Sequence, residues 1–413
     1  MKVIVQKFGG TSLRDEIGRD RAYKHIMRAI QDGYKVVCVV SAMGRNGDAY
    51  ATDTLLSLVN PNYLALREKD LLLSCGEVIS SIVFTSQLNE NGLHAVALTG
   101  AQAGFHTNEE HTNAKIIDMK CERIVKELNN ADVVVVAGFQ GMSKNGEITT
   151  LGRGGSDTSA AALGAALSAD YIDIFTDVEG VMTADPRIVK DAQPISRLTY
   201  NEICNLAYQG AKVIHPRAVE IAMQAKIPIR IRSTYSDSLG TLVTSMTRPN
   251  KGQDIAERLV TGIAHVKDVT QIQLETTETS YEMQSGVFKA MASANISVDF
   301  ININPQGLVY TVSGEKTDEA VRILQTLGYE PKVIPQCAKI SAVGAGMTGV
   351  PGVTAIIVDA LSKAGIQILQ SADSHTTIWV LVKEKDMVKA VNALHHAFEL
   401  EKLNQSSKCS VIR

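Results

Sequence analysis

Short apolar runs alternate with longer amphipathic stretches along the first 231 residues of the chain. The apolar runs are continuous rather than alternating, which is typical of parallel strands that are covered on both faces. Strands are predicted at 3–5, 35–40, 94–98, 132–137, 171–175 and 228–231. Helices are predicted at 16–31, 68–88, 115–128, 156–167 and 216–225. Strands that alternate with helices in this way predict a layered, mainly parallel α/β sheet.

An internal repeat follows this region, after a polar stretch between Thr234 and Glu257 whose composition suits a connection. Residues 287–312 align with residues 357–382 without gaps. Each copy has the pattern helix, strand, strand, helix. Two α+β units of the βαββαβ type are therefore predicted, because such repeats dock side by side to complete their burial.

The segment from Thr149 to Leu167 combines a strand, a glycine turn and a helix of small residues. Ser156 or Asp157 is predicted as the N-cap of this helix. The free N–H groups and the dipole of a helix start favour an anion, and Arg153 adds a planar fork that suits a carboxylate or a phosphate. Taken alone, the segment fits equally well an ordinary tight turn whose glycines let a helix pack closely.

Glycines and polar residues also follow other predicted strands, and in such sheets ligands bind at the carboxyl ends of the strands. These positions are Lys7 to Gly10, Ser41, 138–141 and Thr176-Asp177. Lys212 stands before a predicted helix start at Pro216. The chain contains neither a Walker-type GxxxxGK[ST] nor a GxGxxG motif, so any phosphate is bound by another design. Lys7, Lys212 and Arg153 are predicted to form an electrostatic clamp.

Composition excludes several classes of function. A chain of 413 residues is expected to form two or three domains. Its 41 basic and 44 acidic residues give a net charge of −3, which argues against nucleic-acid binding driven by phosphate neutralisation. No apolar run approaches the ~20 residues that span a bilayer, and MKVIVQKFGG is typical of a strand and turn rather than a signal peptide. We expect a cytoplasmic protein without a membrane or nucleic-acid partner.

The cysteines and histidines do not indicate a metal site. The six cysteines form no CxxC pair and have no histidine at zinc spacing, and no HExxH motif is present. Cys38 and Cys75 lie in apolar runs and are predicted to be buried. No protein-only metal site is expected.

Several motifs together resemble the aspartokinase family, within the wider amino-acid kinase fold. They are VQKFGGTS (5–12), SAMG (41–44), ATD (51–53), LLSCGE (72–77), GFQG (138–141), TTLGRGGSDTSA (149–160), TDVEGVMTADPR (176–187) and GAKVIHPRA (210–218). The resemblance implies ATP-dependent phosphorylation of the L-aspartate side-chain carboxylate to 4-phospho-L-aspartate. This reaction is the first step in the biosynthesis of lysine, threonine, methionine and diaminopimelate.

The resemblance also implies roles for individual residues. Lys7, Asp157 and Lys212 would be catalytic. The ATP contacts would be Lys7, Phe8, Gly9, Gly10, Ser41, Ser156, Thr176, Asp177, Met182, Arg187 and Lys212. The aspartate contacts would be Thr52, Glu77, Arg153, Gly154, Gly155 and Ser156, with Arg153 on the α-carboxylate and Glu77 near the α-ammonium. Mg²⁺ would be carried largely by the nucleotide phosphates.

The repeat resembles the paired ACT domains that sense amino acids in this family. The implied boundaries are 1–245 for the kinase domain, 260–335 for the first ACT-like domain and 336–403 for the second, which a strand near 260–264 would complete. Lysine, threonine or meso-diaminopimelate would be the effector, and ACT pairing would give a homodimer or a larger homo-oligomer.

The candidate effector contacts are Asp299, Asp373 and His375. A solvated loop explains the last two equally well. The first copy carries TTETSYEMQSG (276–286) where the family often has an Asp-x-Pro-Gly turn, whereas the second copy keeps GVPG (349–352).

Two other functions remain in competition at this point. One is a different amino-acid kinase of the same fold, such as one acting on glutamate, against which LLSCGE and TTLGRGGSDTSA argue. The other is a non-catalytic amino-acid sensor, against which the presence of Lys7, Arg153, Asp157 and Lys212 argues.

Overall fold

The computed structural model describes residues 1–245, 259–275, 281–304, 307–347 and 349–402. Contacts among these residues divide the chain into two compact units. The first unit comprises the described residues of Met1–Val181, Pro194–Ala207 and Lys212–Gln253. The second comprises those of Met182–Gln193, Tyr208–Ala211 and Asp254–Arg413. The three predicted domain boundaries stay a prediction. Residues 246–257, the second half of the predicted polar connection, lie outside the described residues, whereas the described half contains a strand at Thr241–Thr244.

The first unit contains strands and helices in alternation. The strands are β1 (Val3–Phe8), β2 (Lys35–Val40), β3 (Ala95–Leu98), β4 (Phe105–Thr107), β5 (Ile116–Met119), β6 (Val133–Ala137), β7 (Gln140–Ser143), β8 (Ile148–Thr150), β9 (Tyr171–Thr176), β10 (Arg197–Thr199), β11 (Ile229–Ser233) and β12 (Thr241–Thr244). The helices are α1 (Gly10–Leu13), α2 (Glu16–Gln31), α3 (Thr52–Ser57), α4 (Leu66–Glu90), α5 (Glu122–Leu128), α6 (Gly155–Ala166), α7 (Tyr200–Tyr208) and α8 (Pro216–Ala225).

The main sheet of this unit has the order β10-β12-β11-β9-β1-β2-β6-β3 within the described residues. All its neighbours are parallel except β11 and β12. The predicted parallel sheet is therefore confirmed. Its central strands are buried because continuous Val and Ile runs need cover on both faces. β1 lies between β2 and β9, which places the carboxyl end of β1 at the middle of the sheet edge.

A smaller sheet with the order β5-β4-β7-β8 in the described part of the chain corrects one prediction. Residues 115–128 were expected to form a single helix, but only α5, the second half, is helical. β5 pairs antiparallel with β4 instead. Its Ile116-Ile117 pair is β-branched, which favours a strand once a partner edge is available.

Helix α4 is the one described helix that is long and apolar enough to cross a membrane by length and composition, a property that was not predicted from the apolar runs of the sequence. It packs against β3, β6 and β8, and 44% of its most apolar stretch is buried inside the protein. Core helices pass the same length and composition test. Cys75 lies on its exposed face, so the prediction that Cys75 is buried is wrong, whereas Cys38 on β2 is buried as predicted.

The second unit contains the repeat. Its strands are β13 (Gly262–Glu275), β14 (Asp299–Asn304), β15 (Gly307–Ser313), β16 (Lys332–Val343), β17 (Gln370–Asp373) and β18 (Thr377–Lys383). Its helices are α9 (Tyr281–Ser293), α10 (Thr317–Thr326), α11 (Val353–Lys363) and α12 (Met387–Ala397). Among the described residues, the strands form one antiparallel sheet in the order β14-β15-β13-β16-β18-β17. The first half of β13 pairs with β16 of the second copy.

A segment from the middle of the chain, Met182–Gln193, belongs to this second unit. Thr183 is completely buried, and its hydroxyl lies 2.9 Å from His395 Nε2 on α12. The Thr183 carbonyl accepts a hydrogen bond from the Ile263 N–H at 2.7 Å. Asn392 donates to the Ile188 carbonyl at 3.3 Å. α12 and β13 therefore hold this segment in place.

Candidate active site

A cavity of about 570 Å³ opens at the carboxyl edge of β1 and β2, beside the start of α6. It is lined by many of the predicted substrate residues: Lys7, Ser41, Thr52, Glu77, Arg153, Gly154, Gly155, Ser156 and Asp157. The structure thus brings together residues that are far apart in the sequence. All of them belong to the first unit.

The start of α6 differs in detail from its prediction. Gly154, rather than Ser156 or Asp157, is the N-cap, and it adopts a left-handed conformation with φ 69°. A Cβ atom at Gly154 would lie 2.3 Å from the His215 side chain, so only glycine fits there without a shift. Ser156 and Asp157 consequently lie in the first turn of the helix, facing the cavity.

Lys7 and Asp157 form the central ion pair of the cavity. Lys7 Nζ lies 2.7 Å from Asp157 Oδ1, and both side chains are largely buried. The other carboxylate oxygen of Asp157 accepts a hydrogen bond from the backbone N–H of His215 at 3.2 Å. Asp157 therefore holds the ammonium of Lys7 at the edge of the sheet and links it to the start of α8.

His215 caps α8 rather than contributing a charge. Its Nδ1 accepts a hydrogen bond from the Arg217 N–H at 3.3 Å. Burial lowers the pKa of His215, although the nearby Asp157 opposes this shift. The imidazole is therefore neutral near pH 7, which is the state that can accept the bond.

Glu77 supplies a buried carboxylate that is only half satisfied. One oxygen accepts a hydrogen bond from the Ala42 N–H at 3.0 Å. The other, Oε2, has no hydrogen-bond partner among the described residues. Burial raises the pKa of Glu77 to about 8, despite the hydrogen bond from Ala42. A cation that enters the cavity would provide the missing partner and favour the ionised form.

Arg153 lies exposed at the mouth of the cavity, between two left-handed glycines. Within the described part of the chain, its guanidinium forms no ion pair. The hydroxyls of Ser41 and Thr52 line the same cavity. A free guanidinium, an unpaired carboxylate oxygen and nearby hydroxyls suit a ligand that carries both an ammonium and a carboxylate.

Some predicted ATP contacts do not line this cavity. Phe8 is fully buried and stacks on Phe175 with ring centroids 4.7 Å apart, which is a core role. Gly10 lies against the segment that follows β2, where a Cβ atom would come 2.5 Å from the Ala42 carbonyl oxygen. Asp177 pairs with Arg45 at 2.6 Å. The ATP roles of Phe8, Gly9, Gly10, Thr176 and Asp177 stay predictions.

Three more predicted residues lie elsewhere. Lys212 is exposed in the turn before α8 and is not part of the cavity lining. Met182 and Arg187 belong to the second unit, where Arg187 pairs with Asp185 at 2.7 Å. The nucleotide roles of these residues also stay predictions.

Other residues line the cavity although no individual role was predicted for them, namely Asp53, Leu56, Lys69, Leu73, Thr112, Phe139, Thr150 and Gly152. Phe139, Thr150 and Gly152 lie within the segments 138–141 and 149–167, for which ligand binding was predicted. Helix periodicity predicts two of the others, because Lys69, Leu73 and Glu77 are spaced at i, i+4 and i+8 on one face of α4. Thr112 comes from a loop, and its position depends on contacts with distant parts of the chain.

The effector candidates fall into two groups. Asp373 and His375 line a cavity of about 740 Å³ in the second unit, together with residues around Gly349–Gly352 and the start of α11. Asp299 does not line this cavity, and its carboxylate forms an ion pair with the buried Lys339.

Comparison with known proteins gives the family. The sequence model of the Amino acid kinase family matches residues 2–233, and an ACT domain model matches residues 332–396. Aspartokinase 1 of Bacillus subtilis strain 168 is 67% identical over 404 residues, covering 97% of this chain and 100% of the relative. The chain belongs to the aspartokinase family. The predicted kinase domain, ACT domain and overall fold class are confirmed by these matches.

Solved structures agree with this assignment. E. coli aspartokinase III in complex with lysine and aspartate matches with a TM-score of 0.76 and 25% identity, over 96% of this chain and 100% of that one. A second structure of the same enzyme, in complex with aspartate and ADP, has a TM-score of 0.78 at 24% identity over 96% of this chain and 99% of that one, and supports the fold alone.

Proposed function

We propose that this chain is an aspartate kinase that transfers the γ-phosphoryl group of ATP to the side-chain carboxylate of L-aspartate. The observation that carries the proposal is the charge arrangement of the 570 Å³ cavity. It presents the unpaired Glu77 oxygen, the free Arg153 guanidinium and the Lys7–Asp157 pair. A small amino acid that must meet a polyphosphate needs a partner for its ammonium, a partner for its carboxylate and a separate cation for the phosphates.

Each residue then has a chemical role. Glu77 accepts the α-ammonium of aspartate, and Arg153 binds its α-carboxylate as a bidentate fork. Lys7, held by Asp157, and the N-terminal turn of α6 neutralise the transferred phosphoryl group. For Lys212, which lies outside the cavity lining in the turn before α8, the family resemblance supports a role near the oxygen that bridges the β- and γ-phosphates.

The reaction needs alignment more than acid–base chemistry. The side-chain carboxylate of aspartate is already ionised at neutral pH, so no general base is required. One of its oxygens attacks the γ-phosphorus while the bond from that phosphorus to the bridging oxygen breaks, and ADP leaves with the electron pair. The two reactants are both anions, so the rate depends on holding them in line and screening their repulsion.

Mg²⁺ belongs to this proposal as a companion of ATP. Among the described residues, no group of three or more His, Cys, Asp or Glu side chains lies close enough together to hold a metal ion by itself. The donor set of the cavity therefore fits a cation that arrives on the nucleotide phosphates, with Asp157 and Asp53 as the nearby carboxylates. When bound, Mg²⁺ supplies further neutralisation of phosphate charge.

The test is an assay of ATP consumption with hydroxylamine, which traps the acyl phosphate as a hydroxamate. We expect rapid turnover with L-aspartate and little with L-glutamate. Glu77→Gln is expected to raise the aspartate KM by about 100-fold, because a charged hydrogen bond is lost in a buried site. Glu90→Gln, an exposed carboxylate at the end of the same helix, is the matched control and is expected to behave like the wild type.

Other outcomes of the assay would contradict the proposal. Equal turnover of aspartate and glutamate would favour a broader amino-acid kinase. Absence of turnover together with effector binding would favour the non-catalytic sensor.

The 740 Å³ cavity of the second unit is the proposed effector site. Its lining combines Asp373 with the left-handed Gly352, after which α11 begins, so an acidic side chain and a helix N-terminus meet in one cavity. This combination suits an amino acid, whose ammonium and carboxylate need partners of opposite sign. Lysine, threonine and meso-diaminopimelate are the effectors to compare in the kinase assay.

Self-association is proposed through the second unit. β14 and β17 are the outer strands of the six-stranded sheet that the described residues form. On β14, the side chains of Ile301 and Ile303 are about half exposed. An open strand edge with apolar side chains favours pairing with another copy. Light scattering is expected to give at least twice the chain mass of 44.5 kDa.

A further inference from the structure

Asp70 is a completely buried carboxylate that lies behind the substrate cavity and does not line it. It follows Lys69 on α4 and receives bonds from two distant parts of the chain. Thr150 donates its hydroxyl to Oδ1 at 2.5 Å, and the backbone N–H of Thr112 lies 3.0 Å from both oxygens. His111 Nδ1 lies 2.8 Å from Oδ2. A buried carboxylate with this many donors is fixed in one orientation.

The loop that Asp70 holds has an unfavourable backbone. Thr112 adopts a left-handed conformation with φ 69°, which a β-branched residue rarely takes. Such a conformation persists only when surrounding contacts impose it. The two hydrogen bonds that the Asp70 carboxylate accepts from the Thr112 N–H are the contacts that do so here.

The same loop supports the glycine turn that carries Arg153. A Cβ atom at Gly152 would lie 3.0 Å from Asn113 Oδ1 and 3.1 Å from the Thr112 carbonyl oxygen, so loop and turn are in close contact. The Ala114 N–H also donates to the Thr150 carbonyl at 2.9 Å. Thr112 and Gly152 both line the cavity. Movement of the loop would therefore move the start of the turn and the direction of Arg153.

We propose that Asp70 is a positioning residue for the aspartate half of the site: it holds Thr112 in its left-handed conformation, and the loop in turn sets the position of Arg153. The inference rests on the proposed aspartate kinase function. It differs from a packing role because it concerns one substrate and leaves the phosphate-binding residue Lys7 in place.

The primary variant is Asp70→Asn, which keeps the shape but replaces one acceptor by a donor. We expect the aspartate KM to rise about tenfold, while kcat and the ATP KM change by less than about threefold. The matched control is Asp173→Asn, since Asp173 is equally buried in the same unit and pairs with Arg230. The control is expected to lower the melting temperature and leave the aspartate KM within twofold of the wild type.

A second variant covers the case in which Asp70→Asn does not fold. His111→Ala removes a bond to Asp70 from a side chain that lies outside the cavity lining. We expect it to raise the aspartate KM about threefold. Thr112→Asn, placed in the Asp70→Asn background, is expected to recover part of the lost affinity, because asparagine tolerates the left-handed conformation better than threonine does.

Binding of aspartate, measured by calorimetry in the presence of a non-hydrolysable ATP analogue, separates this inference from the function. If the wild type binds aspartate without transferring phosphate, the proposed function fails. The ratio of the aspartate dissociation constants of Asp70→Asn and the wild type then still tests the positioning role of Asp70. If Asp70→Asn or His111→Ala lowers only the melting temperature, or raises the KM values for ATP and aspartate equally, the positioning role is overturned.

Discussion

At the scale of single residues, the cavity is prepared for a ligand by groups that lack partners. Glu77 keeps one oxygen unsatisfied in a buried place, and Arg153 has no ion pair among the described residues. An unsatisfied buried polar atom costs on the order of 1–3 kcal/mol. The binding of an ammonium, as proposed for aspartate, would remove that cost and so contribute to the affinity for the substrate.

The raised pKa of Glu77 predicts a pH dependence of aspartate binding. Burial raises the pKa to about 8, so the free protein holds Glu77 mostly protonated at pH 7. In the proposed complex the ammonium of aspartate lies against Glu77 and favours its ionised form, so we expect binding to release a proton and affinity to rise with pH. We expect the aspartate dissociation constant to fall on the order of tenfold between pH 6.5 and 8.5. Calorimetry in buffers of different ionisation enthalpy measures both the dissociation constant and the number of protons released on binding.

Glu77→Gln is the control for this pH effect. It removes the titrating group, so the remaining weak binding is expected to change little over the same pH range. A wild-type profile as flat as that of the variant would show that Glu77 does not titrate on binding.

Local patterns could identify the residues that carry the strongest chemistry. Lys7 and Arg153 stand beside glycines at strand ends, and Glu77 lies in a motif with a family resemblance. Asp70 and Thr112 could not be identified in this way. The role proposed for them rests on hydrogen bonds across 42 positions of the chain, which no local spacing encodes.

At the scale of elements, the turn between β8 and α6 shows how a glycine shapes the site. Gly154 is the N-cap in a left-handed conformation, and it also lies so close to His215 that no side chain fits there without a shift. The strand, turn and helix could be predicted from β-branched residues, glycines and alanines. The N-cap residue could not be predicted, because Ser156 and Asp157 are also of residue types that are favoured at N-caps. Only the tertiary contact between Gly154 and His215 decides which residue takes the N-cap position.

Gly154→Ala tests this role of the turn. The added methyl group meets both the left-handed backbone and His215, so we expect a loss of about 2–4 kcal/mol in the free energy of unfolding and a raised aspartate KM. Chemical denaturation and the hydroxamate assay measure the two effects.

Gly33→Ala is the matched control, because Gly33 has φ 85° but open space around it. It is expected to cost only about 1 kcal/mol and to leave the KM unchanged. Equal effects of the two substitutions would contradict the role assigned to the contact with His215.

The strand β5 shows where periodicity fails. Residues 115–128 contain apolar positions that also fit a helix, and short apolar segments are ambiguous in this respect. The antiparallel partner β4 decides the outcome for Ile116–Met119. The exposed Cys75 has a similar origin, since an apolar helix such as α4 does not reveal from its sequence which face is covered.

At the scale of the whole molecule, each unit has its own core, and the candidate effector site lies entirely in the second. The repeat could be predicted from its gapless alignment, because two copies with the same apolar positions need the same packing. No sequence pattern predicts that Met182–Gln193 belongs to the second unit. Its contacts with α12 and β13 come from residues more than 70 positions away.

Asp373→Asn tests the effector site. We expect the effector concentration for half-maximal inhibition to rise about tenfold, because the ammonium of the amino acid loses its ionic partner. Activity without effector is expected to stay unchanged. Asp359→Asn on α11 is the matched control, since Asp359 is also exposed but pairs with Lys363 outside the cavity lining. Unchanged inhibition in Asp373→Asn would place the effector elsewhere.

The interleaving of the two units has a consequence for protein engineering. Both Met182–Gln193 and Tyr208–Ala211 pack with the sheet that follows residue 259; at Gly210, for example, a Cβ atom would come 2.1 Å from the His265 carbonyl oxygen. A chimaera that takes its regulatory half from another protein through one junction near residue 245 would leave these two segments facing a foreign surface. A workable exchange has to graft three pieces of sequence together, so new effector specificity is more readily obtained by changing side chains within the existing sheet.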